Sequence, residues 1–337
     1  MAIRDVLIVG AGPSGLATAI AAKKRGLDYV IVEKGMLVNS IFNFPAHMVF
    51  FTTPELLEIG GLPLTTPFDK PTRLEALRYY RRVVETFDLH ISYQETVIAI
   101  EREPEESGDG HVFVVTTRNA RGVQRVRQAR AVVLAIGYYD HPNYINVPGE
   151  DLPHVSHYYT DAHPYFQKRV VVVGGKNSAA ETALELFRSG AQVTLVHRHA
   201  TLGESIKYWV RPDIENRIKE GSIPARMETS VVEITPTAVV VESHGERDEL
   251  PADAVFLLTG YHPDARLMTM AGIACDPATL APSMDPETFE TNVPNLFLAG
   301  GCSAGRNTGS IFIENGRFHG EKIIGLLAQR FEPGLQL

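Results

Sequence analysis

An α/β fold of two like domains, one inserted in the other, is predicted by three features of the 337-residue sequence. The chain repeats itself: Val6 to Lys34 (VLIVGAGPSGLATAIAAKKRGLDYVIVEK) matches Val170 to Arg198 (VVVVGGKNSAAETALELFRSGAQVTLVHR), aligning Gly10 with Gly174 and Gly26 with Gly190. Each copy reads as a βαβ unit: a short apolar run suited to a buried parallel strand, a glycine-bearing turn, a helix of small and apolar residues closed by a glycine, and a second apolar run. The returns also echo each other, Ala131 to Pro142 (AVVLAIGYYDHP) beside Ala254 to Pro263 (AVFLLTGYHP).

In chain order, Met1 to Gly10 enters an apolar strand directly, without the basic start, long apolar stretch and small-residue cleavage site of a signal peptide. Gly10-Ala11-Gly12-Pro13-Ser14-Gly15 then opens a helix. In G-x-G-x-x-G the first glycine permits the tight turn, the second lets backbone approach a pyrophosphate, and the third lets helix pack on strand. Glu33 ends the second strand, where a carboxylate binds ribose hydroxyls, with Lys34 beside it. Strand-like stretches His111 to Thr117 and Val239 to Glu242 precede the two returns, so a β-meander is expected in each domain, its last strand leading out of it. The Pro-rich stretch His141 to Pro164 and the segment Tyr261 to Asp264 read as the crossings between domains. The expected architecture is two three-layer, Rossmann-like dinucleotide-binding domains: residues 1–150 and 264–337 for FAD, with 151–263 inserted for NADPH.

The second glycine turn is Gly174-Gly175-Lys176-Asn177-Ser178-Ala179, with Lys176 in place of the middle glycine, either donating to a phosphate or pointing into solvent. At the end of its second strand, His197 replaces Glu33 and Arg198 replaces Lys34. A carboxylate there would repel a 2′-phosphate, whereas Arg198 pairs with one, helped by His199 or Lys207, so NADPH is expected over NADH. Asn295 to Arg306 (NLFLAGGCSAGR) is a buried strand opening into a small-residue turn, with a helix expected from near Ser310. Flavoproteins of this architecture bring such a turn to the ribityl chain and pyrophosphate, often with an Asp after the glycine where this chain has Gly301-Cys302.

A formal net charge of -8 argues against non-specific nucleic-acid binding, which needs positive surface. Cys275 and Cys302 form no C-x-x-C pair and are too few for a disulfide framework, which suits a reducing, cytoplasmic setting. No run approaches the roughly 18 apolar residues of a spanning helix, and no spacing reads as a metal site.

The layout resembles the low-molecular-weight thioredoxin reductases, but lacks their redox C-x-x-C. Over nearly its whole length the chain is similar to the bacillithiol disulfide reductases, YpdA-type thioredoxin reductase-like flavoproteins. The segments carrying this are Glu33-Lys34-Gly35 with Val38 to Pro45, Phe50-Phe51-Thr52, Leu57 to Gly60, Gly137 to Asp140, His163 to Phe166, Gly174 to Ser178, Ser205-Ile206-Lys207, Thr259 to Asp264 and Phe312 to Gly320. The resemblance implies FAD held through turnover, NADPH as hydride donor, a small-molecule disulfide or small redox protein as acceptor, and a homodimer. Expected FAD contacts also include Asn43, Val97, Gly137, Gly301, Cys302 and Ile311, and Gly260 joins the NADP contacts.

The family's proposed redox cysteine belongs to the first glycine turn, where this chain has Ser14, and a hydroxyl cannot do thiolate chemistry. Cys302 is the one replacement candidate near the cofactor, against a small buried thiol filling a tight turn. His157, His163 and His319 touch substrate or nicotinamide, or are structural. Phe42, Phe44, Phe50 and Phe51 flank the flavin or pack the core, and Tyr138, Tyr139, Tyr158 and Tyr159 are candidates to line the nicotinamide cleft. The alternatives are an electron-transfer partner like ferredoxin or flavodoxin NADP reductases, which need no cysteine, a flavin monooxygenase, whose F-x-G-x-x-x-H signature is absent, and a non-catalytic redox sensor binding both cofactors.

Overall fold

The computed structural model describes residues 2–104 and 110–331, so 105–109 in the first expected segment and 332–337 in the last lie outside it. The chain divides into two compact units, Met1–His141 with Tyr261–Leu337, and Pro142–Gly260. In the first unit the chain runs β1 (Ile3–Val9), α1 (Pro13–Lys24), β2 (Tyr29–Val32), α2 (Asn39–Phe42), α3 (Arg73–Thr86), β3 (Ile91–Ser92), β4 (Glu95–Pro104), β5 (His111–Asn119) and β6 (Gln124–Leu134). The second unit contains β7 (Val155–Ser156), β8 (Arg169–Val173), α4 (Asn177–Arg188), β9 (Gln192–Val196), α5 (Arg211–Lys219), β10 (Ala225–Arg226), β11 (Ser230–Ile234), β12 (Ala238–Ser243), β13 (Glu246–Pro251) and β14 (Ala254–Leu257). The first unit is completed by α6 (Ala265–Met270), β15 (Leu296–Leu298), α7 (Ile313–Gly316) and α8 (His319–Phe331).

The first unit's sheet has the order β3-β2-β1-β6-β5-β4, with β15 also on β6. Its parallel part is apolar on both faces because both are covered. Val6 and Ile8 pack with α1, α3 and α8, while Leu7 and Val9 pack with the β4–β6 meander, Met268 and Cys302. The chain leaves β1 towards β2 and returns beside β1 on its other edge as β6, which puts the switch point of the topology at the β1 and β6 ends.

The second unit repeats the plan with the order β10-β9-β8-β14-β7 and a separate three-stranded meander, β11-β12-β13. Val170 and Val172 pack under α4 and α5, and Val171 packs with Val239, Val241 and Leu250 of the meander. Here the meander's last strand does not lead out. Pro251 closes β13, the Ala252 N–H turns back to Thr237 O, and β14 begins afresh after Asp253. The first unit differs because β6 is long enough to serve both layers, pairing with β5 through Gln124–Ala129 and with β1 through Gln128–Leu134.

The unit boundaries fall earlier than 150/151 and 263/264. The Asn143 N–H donates to Gly260 O at 2.9 Å, and Ile234 N–H to Pro148 O at 2.8 Å, so this Pro-rich stretch packs within the second unit. Tyr261 instead lies 4.7 Å from Tyr139, and His262 N–H donates to His141 O, which places both in the first. The helix expected from Ser310 starts at Ile313 and breaks at Arg317-Phe318 before α8, so the turn after β15 is longer than its composition suggested.

Candidate functional site

The Gly10 turn shows why each glycine is there. A Cβ on Gly10 (φ 108°) would lie 2.4 Å from Ala135 O, and one on Gly15 would lie 1.9 Å from Gly10 O. Both would collide with backbone. Gly12 is different: its backbone is extended (φ -77°, ψ 176°), it caps α1 without a side-chain hydrogen bond, and a Cβ there would meet nothing within 4 Å. Pro13 occupies the first helical turn, where its missing N–H costs nothing. The turn thus leaves an open approach to the helix N-terminus, with amides and a positive helix end suited to phosphate.

Glu33 is buried beside this turn and accepts from Ala11 N–H at 2.8 Å and Gly35 N–H at 2.7 Å. Burial raises its pKa, against the lowering pull of those two amides. Its main chain is held on both sides, since Glu33 N–H donates to Ser92 O and Glu95 N–H to Glu33 O, each at 2.9 Å. Glu95 is itself buried and pairs with Arg125 and Arg127 at 2.7 Å each, while Arg127 also donates to Thr117 Oγ1 and Ser92 Oγ. This strut had no signal in the sequence, because its members come from four strands. Lys34 pairs with Asp140 at 2.8 Å. Tyr139 packs edge-on against Phe44 and donates its hydroxyl to Asn43 O, which brings Asn43 to the Gly137–Asp140 return. Gly137 (φ 62°) has open space at its Cβ position, and Val97 is half-buried at a bulge in β4.

The turn after β15 closes on the same place. Gly300 (φ 76°) packs so tightly that a Cβ would lie 2.3 Å from Ser14 Oγ, and one on Gly301 would lie 2.7 Å from the Tyr138 ring and 3.8 Å from Ile311 O. Cys302 is fully buried, and its thiol donates to Leu134 O at 3.2 Å and Ala299 O at 3.4 Å. Burial pushes its pKa up to about 11 despite the Ile136 and Gly137 amides, so the sulfur is a thiol plug under the turn rather than a thiolate. Cys275 is half-buried, and burial raises its pKa too.

The second unit repeats this geometry with one compensated exchange. A Cβ on Gly174 would lie 2.6 Å from Leu258 O and 2.9 Å from Ala179 Cβ, the same close approach as at Gly10. At the next position Ala11 is replaced by Gly175, whose Cβ would lie within the His197 ring at 2.2 Å. The imidazole that replaces Glu33 is bulkier than a carboxylate, and the glycine makes room for it. Lys176 is exposed at the helix start. Arg198 is exposed and donates from Nε to His199 Nε2 at 3.2 Å. Ser178 is exposed on the first turn of α4. Asn177 turns inward instead: its Nδ2 donates to Ser205 O and its Oδ1 accepts from Lys207 N–H, both at 2.9 Å, which fastens the Lys207 segment to the glycine turn. Gly260 (φ 93°) sits against Asn143.

The sequence matches the family model for pyridine nucleotide-disulphide oxidoreductases over residues 7–300. The chain belongs to this family. It is 43% identical over 326 residues, 96% of this chain and 97% of the relative, to Bacilliredoxin reductase Bdr of Bacillus subtilis. A solved structure, Bacillithiol Disulfide Reductase Bdr (YpdA) from Bacillus cereus, superimposes with a TM-score of 0.93 at 42% identity, covering 98% of this chain and 100% of that one. A Ferredoxin--NADP reductase from Ignicoccus hospitalis is 26% identical over 88% of this chain and 90% of its own.

As a pyridine nucleotide-disulphide oxidoreductase the protein uses FAD and NAD(P)H. The residues present fit both: the space at Gly12 and Gly137 and the uncapped start of α1 suit a dinucleotide, and α4 likewise starts without a side-chain cap. One expectation needs correction. Tyr159 is core, packed edge-on against Phe256 in the second unit, and lines no cleft. His157 is buried and lies 3.3 Å from Glu150, which also accepts from the Ile145 and Asn146 amides, so it is part of a structural cluster. Phe50 is core, while Phe42 is exposed. His163 is exposed, its backbone N–H donating to Asp161. No group of acidic, His or Cys side chains among the described residues could hold a metal, and no described helix is long and apolar enough to cross a membrane.

Glu181, one turn into α4, has its pKa raised to about 7, first by burial and then by Glu185, with Lys207 opposing. A raised carboxyl binds more protons folded than unfolded between pH 4.5 and 7, so its stabilising contribution is complete below that window and lost as pH rises through it. Glu181→Gln is therefore expected to raise stability by up to ~3 kcal/mol above the window and by little below it. Urea midpoints measured on both sides of the window check this, and an equal gain at both pH values would contradict it.

Proposed function

We propose that the protein is an NADPH-dependent FAD reductase of a low-molecular-weight disulfide, with bacillithiol disulfide as the expected substrate. The observation that carries this is 43% identity to Bacilliredoxin reductase Bdr across nearly both chains. The likeness to the Bacillithiol Disulfide Reductase Bdr (YpdA) of Bacillus cereus supports the small disulfide rather than a protein acceptor. NADPH and the disulfide, with one proton, become NADP and two thiols, and FAD supplies the two-electron carrier between them. The chain's own residues bind and orient: Gly10 to Gly15 and Gly300-Gly301 frame the pyrophosphate of FAD, and Glu33 takes the ribose. Asn43, Val97, Gly137 and Ile311 border the same site. In the second unit Gly174 to Ala179 receive NADPH, with Arg198 and Lys207 on its 2′-phosphate. Cys302 fills the turn and takes no part in electron flow.

A homodimer, implied by the likeness to the bacillithiol disulfide reductases, is part of this reading, and two free cysteines suit the bacterial cytoplasm. Anaerobic NADPH is expected to bleach the bound flavin, and bacillithiol disulfide to restore its colour. Failure of every thiol disulfide to reoxidise it would reject the substrate. A second reading, electron transfer to ferredoxin or flavodoxin, is favoured by Ser14, and reoxidation by those proteins alone would establish it.

The cysteine-free route makes its own prediction. A Cys275→Ser, Cys302→Ala double variant is expected to keep kcat within about twofold, with a stability loss of about 1 kcal/mol from the small cavity left at Cys302. A loss of more than about tenfold in kcat with an unchanged melting curve would return a thiol to the mechanism.

A further inference from the structure

We propose that His319 is a positioning residue for FAD, its Nδ1 fixing the Gly300-Gly301 turn in the shape that faces Ser14 and the first glycine turn. The inference rests on the FAD reading above and extends it to a residue outside every glycine motif. His319 is buried at the start of α8, and the Gly300 N–H donates to its Nδ1 at 3.2 Å. Gly300 is at φ 76°, and its N–H takes the imidazole Nδ1 as acceptor, so the ring holds the first amide of the turn. The ring cannot swing away. It lies flat on Phe289, with centroids 3.9 Å apart and planes 14° apart.

The neighbouring residue ties the same junction to α1: a Cβ on Gly320 would lie 2.5 Å from Thr18 Cα, and the Thr18 hydroxyl donates to Ser14 O at 2.8 Å. Gly316 closes the third side, within 3.1 Å of Gly300 Cα at its Cβ position. His319 is thus where α8, the Gly300 turn and the start of α1 are held in one arrangement. Burial, with Lys322 on the same helix, pushes its pKa down to about 4, so the ring stays neutral and Nδ1 remains an acceptor with the proton on Nε2.

Two substitutions separate hydrogen bonding from packing. His319→Phe keeps a flat ring against Phe289 but has no acceptor, whereas His319→Asn loses the stack but places an amide oxygen near the Nδ1 position. FAD content and FAD dissociation constants of the purified proteins are the readout. The expected result is about tenfold weaker FAD binding in the Phe variant, the scale of one buried hydrogen bond, and within about threefold of wild type in the Asn variant. The opposite order, Phe retaining FAD and Asn losing it, would make His319 a packing residue and overturn the proposal, as would equal retention by both. Wild-type protein without FAD would instead remove the reading on which the proposal stands, and the proposal with it. Should either variant fail to fold, imidazole nitrogen shifts of the wild-type holoenzyme decide: an unprotonated Nδ1 is expected, and a protonated Nδ1 would overturn it.

Discussion

Gly12→Val is expected to give a folded protein that holds no flavin and turns over no substrate. The backbone at Gly12 is extended and its Cβ position opens on empty space, so valine costs the fold little. The branched side chain would instead fill the gap through which a pyrophosphate reaches the start of α1, and FAD affinity should fall by more than about a hundredfold, close to 3 kcal/mol. Gly15→Val is the contrasting control. Its Cβ would sit 1.9 Å from Gly10 O, so α1 could not pack on β1 and the unit would fail to fold. Circular dichroism melts paired with flavin absorbance separate these outcomes. A Gly12→Val protein that keeps its FAD would show that the pyrophosphate passes elsewhere.

The second large effect is expected at Arg198. The side chain is exposed beside His199, and among the described residues no carboxylate pairs with it, so its charge is available to a 2′-phosphate. Losing one charge-assisted contact is worth about 1.5–3 kcal/mol. Arg198→Ala should therefore raise the KM for NADPH by about 10- to 100-fold and leave the KM for NADH unchanged. Equal effects on both cofactors would place Arg198 away from the 2′-phosphate.

The parts of the fold legible in the sequence are those written in local patterns. The two βαβ units and the roles of Gly10 and Gly15 follow from glycine spacing between apolar runs, because backbone collisions at these positions admit nothing larger. Arg198 stands out as a candidate only through the internal repeat, since a lone arginine after a strand says nothing. What escaped depends on side chains meeting across distant segments. The exchange of Ala11 for Gly175 makes sense only with the His197 ring in place, although aligning both changed positions of the repeat would have exposed the compensation. The Glu95–Arg127 strut behind Glu33 joins strands through side chains whose spacing carries no period. In the sequence His319 is one of three equal histidines, and its hydrogen bond to a turn residue is invisible without coordinates. The domain edges moved because Asn143 and Gly260 pair through backbone groups, which composition does not reveal. Proline content marked the stretch but not the unit it joins.

The most direct measurement of the central claim, that electrons pass from NADPH through FAD to a disulfide with no cysteine between, is an anaerobic reductive titration of the holoenzyme. With Ser14 in the first glycine turn and Cys302 buried as a thiol, FAD is the one carrier, and full reduction should take about two electrons per flavin. Uptake of about four electrons per flavin would reveal a redox-active disulfide in series with it and contradict the account.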